Sequence, residues 1–391
     1  MRVAYVCADV GVPVFGRKGC SIHVQEVIRA LGRLGAQVEV FSPLYEGEPP
    51  ADLESVRLHR LPEVPLAVRR DIPARERASL ALNRPLRTAL ERAGPFELVY
   101  ERYSLWSFAG MEHARAVAVP RLLEVNAALI EEQAEHRGLL DRAGAEHIAT
   151  GVFRDATAIL AVSDEVAAYL GRRYPATHGR VHVVPNGVDP DRFAPAARRS
   201  TTAGGGFTVG FVGTLKPWHG LAILVEAFDR LHRAAPDTRL LVVGDGPERA
   251  GLEADLAARG LREAVQFTGG VDAGEVPALL GRMDVAVAPY PALPHFYFSP
   301  LKVYEYMAAG RAVVVSCIGQ LAALIEHEVN GLCCPPGDPG ALAAALERLR
   351  REPGLRARLG RAARATVRRH TWKAVARRIL GLAGLECVPQ R

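Results

Sequence analysis

The sequence predicts an α/β protein built from two doubly wound, parallel-sheet domains. Short apolar runs alternate with amphipathic helical segments along the 391 residues. Apolar runs without polar alternation are typical of parallel strands that are covered by helices on both faces. The series starts twice, with MRVAYV at residue 1 and with FTVGFV at residue 207, and a glycine-bearing loop and a helix follow each start. Two such series indicate two domains.

The predicted strands can be followed in order through both halves. The first half continues with QVEVFSP, ELVYER, RLLEVNA, AILAVS and VHVVPNG. The second continues with RLLVVGDG, VQFTGGV, VAVAPY, AVVVSC and NGLCCPPG. The runs are short and rich in valine, as expected of buried strands.

The domain limits follow from composition. We predict a first domain over 1–190, a linker over 191–206 and a second domain over 207–371. The linker is assigned because its residues are small and polar and it contains three glycines. A helix at about 372–391 is expected, by analogy with two-domain proteins of this layout, to pack back on the first domain. The arginine-rich segment 56–92 has no predicted organisation, because four prolines interrupt it.

Composition excludes several classes of protein. No apolar run approaches the ~18 residues needed to span a bilayer, and MRVAYVCADV is a first strand rather than a signal peptide. The six cysteines form no Cys-x-x-Cys pair, which disfavours structural zinc. Buried free thiols in a reducing compartment are expected instead. The net charge is +6. We expect a cytoplasmic protein that has no nucleic-acid partner.

The segment FYFSPLKVYEYMAAG, residues 296–310, predicts a phosphate site. Ser299 is a suitable N-cap, Pro300 suits the first helical position, and Gly310 ends the helix. The amides of such a helix start attract anions. Lys302, one of only four lysines among 49 basic residues, adds a full charge there. The alternative is a buried helix whose lysine extends to solvent.

Polar residues follow the predicted strands at their carboxyl ends, where open α/β sheets bind ligands. The first half places there Lys18, Gly19, Glu101, Arg102, Tyr103, Glu124 and Asn126, and the second half Gly213, Thr214, Lys216 and His219. We therefore predict a ligand in a cleft between the domains. For Glu101, Arg102 and Tyr103, an ion pair at the domain rim and a contact with the acceptor of the reaction are about equally favoured.

Five motifs in order identify a family resemblance: VVPNGVDPDRF, VGFVGTLKPWHG, LLVVGDGPE, VQFTGGV and FSPLKVYEYMAAG. With them the chain resembles the retaining glycosyltransferases of family 4, which have the GT-B architecture of two facing Rossmann-like domains. The resemblance implies transfer of a sugar from a nucleotide-diphosphate-sugar donor to an acceptor hydroxyl. It also implies retention of the anomeric configuration and no cofactor or metal.

The resemblance assigns roles to residues of the second domain. Glu305 matches the glutamate that holds the ribose, and Tyr297 occupies the position of a second glutamate. Backbone amides from Phe298 to Lys302, including those of Ser299 and Leu301, match those that meet the sugar and diphosphate. Lys302 would neutralise the leaving diphosphate. Gly213, Thr214, His219 and Val271 match further donor-binding positions, with Thr214 and His219 standing where the family has arginine and lysine.

Lys216 is expected to replace the charge that is missing at Thr214 and His219. Lys302, Lys216 and Asn126 are therefore the candidate catalytic residues, and Gly19 belongs to the diphosphate-side loop. The acceptor is expected to be a small molecule, a glycan or a lipid-linked molecule, bound near Lys18, Glu101, Arg102, Tyr103 and Glu124. A weak peripheral contact with the cytoplasmic face of a membrane is a further possibility, although a solvated surface is favoured for residues 57–92.

Other interpretations remain open. Asp189-Pro190-Asp191 is more typical of a turn than of a metal site. His23, after the first glycine loop, is expected to be a packed or solvated helix residue. Altered family positions would also suit a catalytically inactive partner subunit with the same fold. A glycan phosphorylase, with pyridoxal phosphate on Lys302, is the third hypothesis. Neither half has the Gly-x-Gly-x-x-Gly motif of a dehydrogenase.

Overall fold

A computed structural model describes residues 1–193 and 206–385, and its chain divides into two compact units. Unit 1 comprises Met1–Gly16, Cys20–Asn186 and the chain from Trp372 onward, and unit 2 comprises Arg17–Gly19 and Gly187–Thr371. Each unit is a parallel sheet between helices, which confirms the predicted fold class. Most of the predicted linker lies outside the described residues.

Within the described residues, unit 1 has a seven-stranded parallel sheet of order β3-β2-β1-β4-β5-β6-β7. Its strands are β1 (Arg2–Val6), β2 (Gln37–Ser42), β3 (Arg57–Arg60), β4 (Leu98–Arg102), β5 (Arg121–Val125), β6 (Ala158–Ala161) and β7 (Val181–Val183). Its helices are α1 (Gly19–Arg33), α2 (Leu66–Arg70), α3 (Ile72–Ala81), α4 (Asn83–Ala93), α5 (Ala109–Ala116), α6 (Leu129–His136), α7 (Arg142–Asp155), α8 (Asp164–Arg173) and the C-terminal α16 (Trp372–Leu382). The strand order reverses between β1 and β4, where the carboxyl ends of doubly wound sheets bind ligands.

Unit 2 repeats this layout with a six-stranded parallel sheet of order β10-β9-β8-β11-β12-β13 in its described part. Its strands are β8 (Thr208–Val212), β9 (Arg239–Val243), β10 (Val265–Phe267), β11 (Val285–Ala288), β12 (Ala312–Ser316) and β13 (Leu332–Cys334). Its helices are α9 (Leu221–Ala234), α10 (Arg249–Ala258), α11 (Val276–Gly281), α12 (Leu301–Ala308), α13 (Gly319–Leu324), α14 (Pro339–Arg351) and α15 (Pro353–Val367). All five residues of β12 are buried, as the AVVVS run predicts.

The arginine-rich segment, for which the sequence predicted no organisation, forms β3 and the three helices α2, α3 and α4. Three of its four prolines stand at or just inside helix starts instead of breaking helices, and Pro62 lies in the loop after β3. Pro65 is the N-cap of α2, and Pro73 stands in the first turn of α3, where a missing N–H costs nothing. Asp71 caps α3, since its Oδ1 accepts from the amide of Ala74 at 2.8 Å.

The C-terminal helix α16 is part of unit 1. Trp372 is buried at its start, and its ring meets the imidazole of His23 edge-on at 5.2 Å.

The cysteines depart from the expectation of burial. Cys7 and Cys334 are buried, but Cys317 is exposed. In the two described ranges, no helix has the length and apolar character required to cross a bilayer.

Two buried tyrosines provide a test of packing in the two units. Tyr306 accepts a 2.8 Å hydrogen bond from the amide of Val212, at the end of β8. The hydroxyl of Tyr5, in β1, is buried without a hydrogen-bond partner among the described residues. Tyr306→Phe should lower the free energy of unfolding of unit 2 by about 1–3 kcal/mol, because it strands a buried N–H. Tyr5→Phe, the matched control, should change the free energy of unfolding of unit 1 by less than about 0.5 kcal/mol. Hydrogen exchange of peptides from each unit measures both values, and equal losses would contradict the assignment.

A buried carboxyl predicts a pH dependence for unit 1. Glu101 is 1% exposed, and burial raises its pKa to about 7 although the Ser107 hydroxyl donates to it. Between pH 4.5 and about 7 the folded state keeps the proton on Glu101 while the unfolded state releases it. The stability of unit 1 is therefore fully present below pH 4.5 with respect to this group, and it falls as the pH rises to about 7. Glu101→Gln should gain stability relative to the parent between pH 4.5 and 7, by about 1.4 kcal/mol for each unit of pKa shift.

Urea unfolding at several pH values, followed by hydrogen exchange in β4, measures this difference. Glu54→Gln is the control, because Glu54 is an exposed carboxylate of the same unit. A parallel response of the two variants to pH would show that burial of Glu101 is not the cause.

Candidate functional site

Two glycine loops interlock at the carboxyl edge of the unit 2 sheet. The loop after β8 donates from Gly213 N to the carbonyl of Val243 at 2.9 Å, and from Leu215 N to the carbonyl of Asp245 at 2.9 Å. A Cβ on Gly244 would lie 2.2 Å from the carbonyl oxygen of Gly213. Any side chain at Gly244 would push the two loops apart, and its φ of +131° also favours glycine.

The amine of Lys302 lies beside this pair of loops. A Cβ on Gly213 would be 3.0 Å from Nζ, so any side chain at this position would press on the amine. Nζ lies 4.3 Å from the ring centre of Phe211 and 5.5 Å from that of Tyr290. Lys302 is buried, and its Nζ has no hydrogen-bond partner in the described parts of the chain. Burial lowers the pKa of Lys302 to about 7, against the opposing effect of Glu305.

His219 is held neutral and therefore supplies no charge to the site. Its Nδ1 lies 2.5 Å from the carbonyl oxygen of Thr214, which can only accept, so Nδ1 carries the proton and donates. Burial, together with the charge of Lys302, lowers the pKa of His219 to about 2. The next residue, Gly220, has a φ of +67°, and a Cβ there would lie 1.6 Å from the carbonyl oxygen of Pro289. The hydrogen bond from the imidazole to Thr214 and the lack of a side chain at Gly220 thus both constrain the loop.

The helix start differs in detail from the prediction. Helix α12 begins at Leu301, and its N-cap is Pro300, with no side-chain cap. Ser299, predicted as the cap, instead hydrogen-bonds the side chain of Tyr304. The predicted stop at Gly310 is confirmed by its φ of +64°. The first amides of α12 are thus left without a serine oxygen.

An aromatic cluster precedes α12 and shapes the approach to it. The rings of Tyr290 and Phe296 meet at 4.8 Å, those of Phe296 and Phe298 at 5.3 Å, and those of Tyr297 and Phe298 at 4.5 Å. Such pairs add about 0.5–1.5 kcal/mol each beyond their burial. Tyr297 is therefore positioned by packing, at a place where a carboxylate was the family expectation.

The remaining predicted donor residues are spread around the same edge. Glu305 is half-buried on α12, one turn after Lys302. Lys216 is half-buried, with Nζ 5.5 Å from the ring centre of Trp218. Val271 packs against the core beside β10. Gly19 is the exposed first residue of α1, and the exposed Lys18 precedes it.

In unit 1, a buried polar network centres on Glu124. Its carboxylate accepts from Arg102 Nη1 at 2.8 Å, from the hydroxyl of Tyr100 at 2.5 Å and from the amide of Asn126. His23 Nε2 lies 2.8 Å from Oε2. Burial alone would raise the pKa of Glu124, but the charges of His23 and Arg102 hold it well below its usual range. Arg102 and Glu124 thus form a buried ion pair within unit 1.

The network includes partners that sequence reasoning missed. His23 Nδ1 lies 2.7 Å from Oδ1 of Asn186, a residue 163 positions away. No local signal links these residues, because the contact depends on the path of the whole sheet. Glu101 and Tyr103 face the interior, where Tyr103 packs on Phe153 at 4.9 Å.

Asp189 forms a turn, since its Oδ1 accepts from the amide of Asp191 at 3.2 Å.

Two family models match the chain. Residues 17–192 match the model "Glycosyltransferase Family 4", and residues 206–352 match "Glycosyl transferases group 1". The chain is 30% identical over 353 residues to 2-deoxystreptamine glucosyltransferase of Streptomyces kanamyceticus, covering 85% of this chain and 89% of that protein. It is 28% identical over 396 residues to D-inositol 3-phosphate glycosyltransferase of Salinispora tropica, covering 94% and 80%.

Solved structures share the fold. Sucrose-phosphate synthase of Thermosynechococcus elongatus superposes with a TM-score of 0.74 at 22% identity, covering 98% of both chains. Anabaena HepE in complex with UDP-glucose superposes with a TM-score of 0.76 at 18% identity, covering 98% of this chain and 99% of that one. The two family models, together with the relative that is 30% identical, show that the chain belongs to the family 4 glycosyltransferases.

Proposed function

We propose that this glycosyltransferase transfers a sugar from a nucleotide-diphosphate-sugar donor to an acceptor hydroxyl, with retention of configuration and without a metal. The observation that carries the proposal is the amine of Lys302. It is buried, has no hydrogen-bond partner among the described residues, and lies beside Gly213 at the carboxyl edge of the sheet. A buried unpaired cation is costly, and such a group commonly marks a binding site for an anion.

The chemistry fits a site of this kind. The bond between the anomeric carbon and the diphosphate oxygen breaks, and its electron pair stays on the leaving oxygen. The acceptor hydroxyl forms the new bond on the same face, and its proton passes to the departing phosphate oxygen. Lys302 and the first amides of α12 stabilise the charge that develops on the diphosphate. This preorganised positive charge takes the place that a divalent cation would otherwise fill.

The donor follows from the same residues and from the relatives. Glu305, half-buried one turn beyond Lys302, is the candidate for the ribose hydroxyls, since a carboxylate can accept from two of them. HepE binds UDP-glucose in its complex. UDP-glucose is therefore the donor to test first.

The acceptor class follows from the relatives that cover most of the chain. They act on 2-deoxystreptamine and on D-inositol 3-phosphate, both of which are ring polyols. We infer that the acceptor is a ring that carries several hydroxyl groups.

Activity is tested directly by incubating the protein with UDP-glucose and ring polyols. Nucleoside diphosphate should be released, and the proton spectrum of the product should show the donor's α configuration. Addition of EDTA should leave the rate unchanged. A product of inverted configuration, or a rate that EDTA abolishes and manganese restores, would contradict the mechanism. Absence of both UDP binding and release would favour the inactive partner subunit.

Lys302→Met should lower kcat by about a hundredfold or more, as expected when a charge that stabilises the leaving group is removed. Its melting temperature should not fall, because the substitution removes a buried unpaired charge and keeps the apolar stem. Lys373→Met is the matched control, since Lys373 is an exposed lysine. A variant of Lys302 with unchanged kcat would refute the role in catalysis.

Glu305→Gln should weaken UDP binding by about tenfold, or ~1.4 kcal/mol. Calorimetry with UDP and with 2′-deoxy-UDP separates the ribose contact from other effects. The loss should shrink for 2′-deoxy-UDP, because the hydroxyl that the carboxylate accepts from is then missing. An equal loss for both nucleotides would remove the ribose assignment.

A further inference from the structure

A small cavity opens at the carboxyl edge of the unit 1 sheet, apart from the Glu124 network. We call it the unit 1 recess. The residues that define it are Asp9, Arg75, Glu76, Ser79, Trp106 and Gln133. Asp9 follows β1, Trp106 follows β4, and the others come from α3 and α6. Its volume is about 30 Å³, which admits one or two groups the size of a water molecule.

The cation in this wall is already engaged by the main chain. Nη2 of Arg75 donates to the carbonyls of Arg137 at 3.2 Å and of Gly138 at 2.7 Å. The buried Glu76 is engaged as well. Its oxygens accept from the amides of Leu140 at 2.8 Å and of Asp141 at 3.2 Å. Arg75 and Glu76 therefore hold the wall together.

Two hydrogen-bond acceptors in the recess have capacity left for a ligand. Oε1 of Gln133 is covered from solvent and has no hydrogen-bond partner among the described residues. Asp9 is half-buried, and its Oδ1 accepts from the amide of Gly11 at 2.7 Å. An ionised carboxylate has about four acceptor sites, so most of its capacity remains. A group that contacts both of these acceptors must donate hydrogen bonds, as a hydroxyl or an ammonium group does.

Trp106 supplies an apolar wall and is held in place at a conformational cost. Its φ of +76° is rare for a residue with a bulky side chain. The side-chain amide of Asn83 donates to the carbonyl of Trp106 at 2.7 Å, and its Oδ1 accepts from Phe108 N at 2.8 Å and Ala109 N at 2.9 Å. Backbone strain that is held this firmly is common at ligand sites. An indole beside hydrogen-bond acceptors suits a polyol ring, which presents C–H groups as well as hydroxyls.

We propose that the unit 1 recess binds a hydroxyl or ammonium group of the acceptor and disfavours a phosphate. A phosphate would meet the carboxylate of Asp9 and an arginine that is already bonded to carbonyls. The inference rests on the proposed function, in which Lys302 and Glu305 of unit 2 bind the donor and unit 1 is left for the acceptor. It narrows the acceptor to an uncharged or amino-substituted ring polyol.

Calorimetry in the absence of donor tests the recess separately from turnover. The probes are 2-deoxystreptamine, myo-inositol and D-inositol 3-phosphate. 2-Deoxystreptamine or myo-inositol should bind at least about tenfold more tightly than the phosphate. Asp9→Asn should weaken the binding of 2-deoxystreptamine by about tenfold. Gln133→Leu should weaken the binding of both unphosphorylated probes. Arg77→Gln, an exposed position on α3, is the matched control.

UDP affinity should remain within about twofold in the Asp9 and Gln133 variants. Tighter binding of the phosphate, binding of neither unphosphorylated probe, or unchanged affinities in both variants would overturn the proposal. If the parent protein does not bind UDP, the proposed function is overturned instead, because UDP binding does not depend on the recess.

Discussion

The arrangement of unit 2 depends on one unfavourable interaction, the burial of the Lys302 amine without a hydrogen-bond partner in the described structure. Phe211 and Tyr290 offer it only the faces of their rings. Cation–π contacts of this kind recover part of the lost hydration, but far from all of it. A position kept at such a cost is explained by a ligand that supplies the missing negative charge.

Under the proposed function, the surrounding residues position this amine for an anion. Gly213 and Gly244 have no side chains, so their loops interlock beside Nζ without a clash. His219 donates to a carbonyl and stays neutral, which avoids a second buried cation beside the first. The rings from Tyr290 to Phe298 pack together and fix the chain that leads into α12. These features position the amine of Lys302, and none of them adds a further positive charge.

The sequence predicted the fold because its dominant signal is local. Runs such as AVVVS and VAVA have the apolar continuity of buried parallel strands, and both are central strands. The position of Lys302 in the first turn of a helix was predictable for a similar reason, since it follows a proline that suits a helix start. The details of that start were not, because the choice between Ser299 and Pro300 as cap depends on Tyr304, which competes for the hydroxyl.

The long-range polar contacts were beyond sequence reasoning. The contact between His23 and Asn186, and the pairing of Arg102 with Glu124, join residues that only the sheet order brings together. The prolines of segment 56–92 gave a false signal of irregularity. Proline disrupts the interior of a helix but suits its first turn, and position within the helix cannot be judged until the helix limits are known.

The central claim is that Lys302 is kept unpaired to receive a diphosphate, and proton uptake on binding tests it most directly. Burial lowers the pKa of Lys302 to about 7, so at pH 8 the amine of the free protein is mostly neutral. An anion bound beside it would raise that pKa. Calorimetry of UDP binding at pH 8, in buffers with different ionisation enthalpies, should show uptake approaching one proton per UDP in the parent protein and almost none in Lys302→Met. Equal proton uptake by the two proteins would contradict the account.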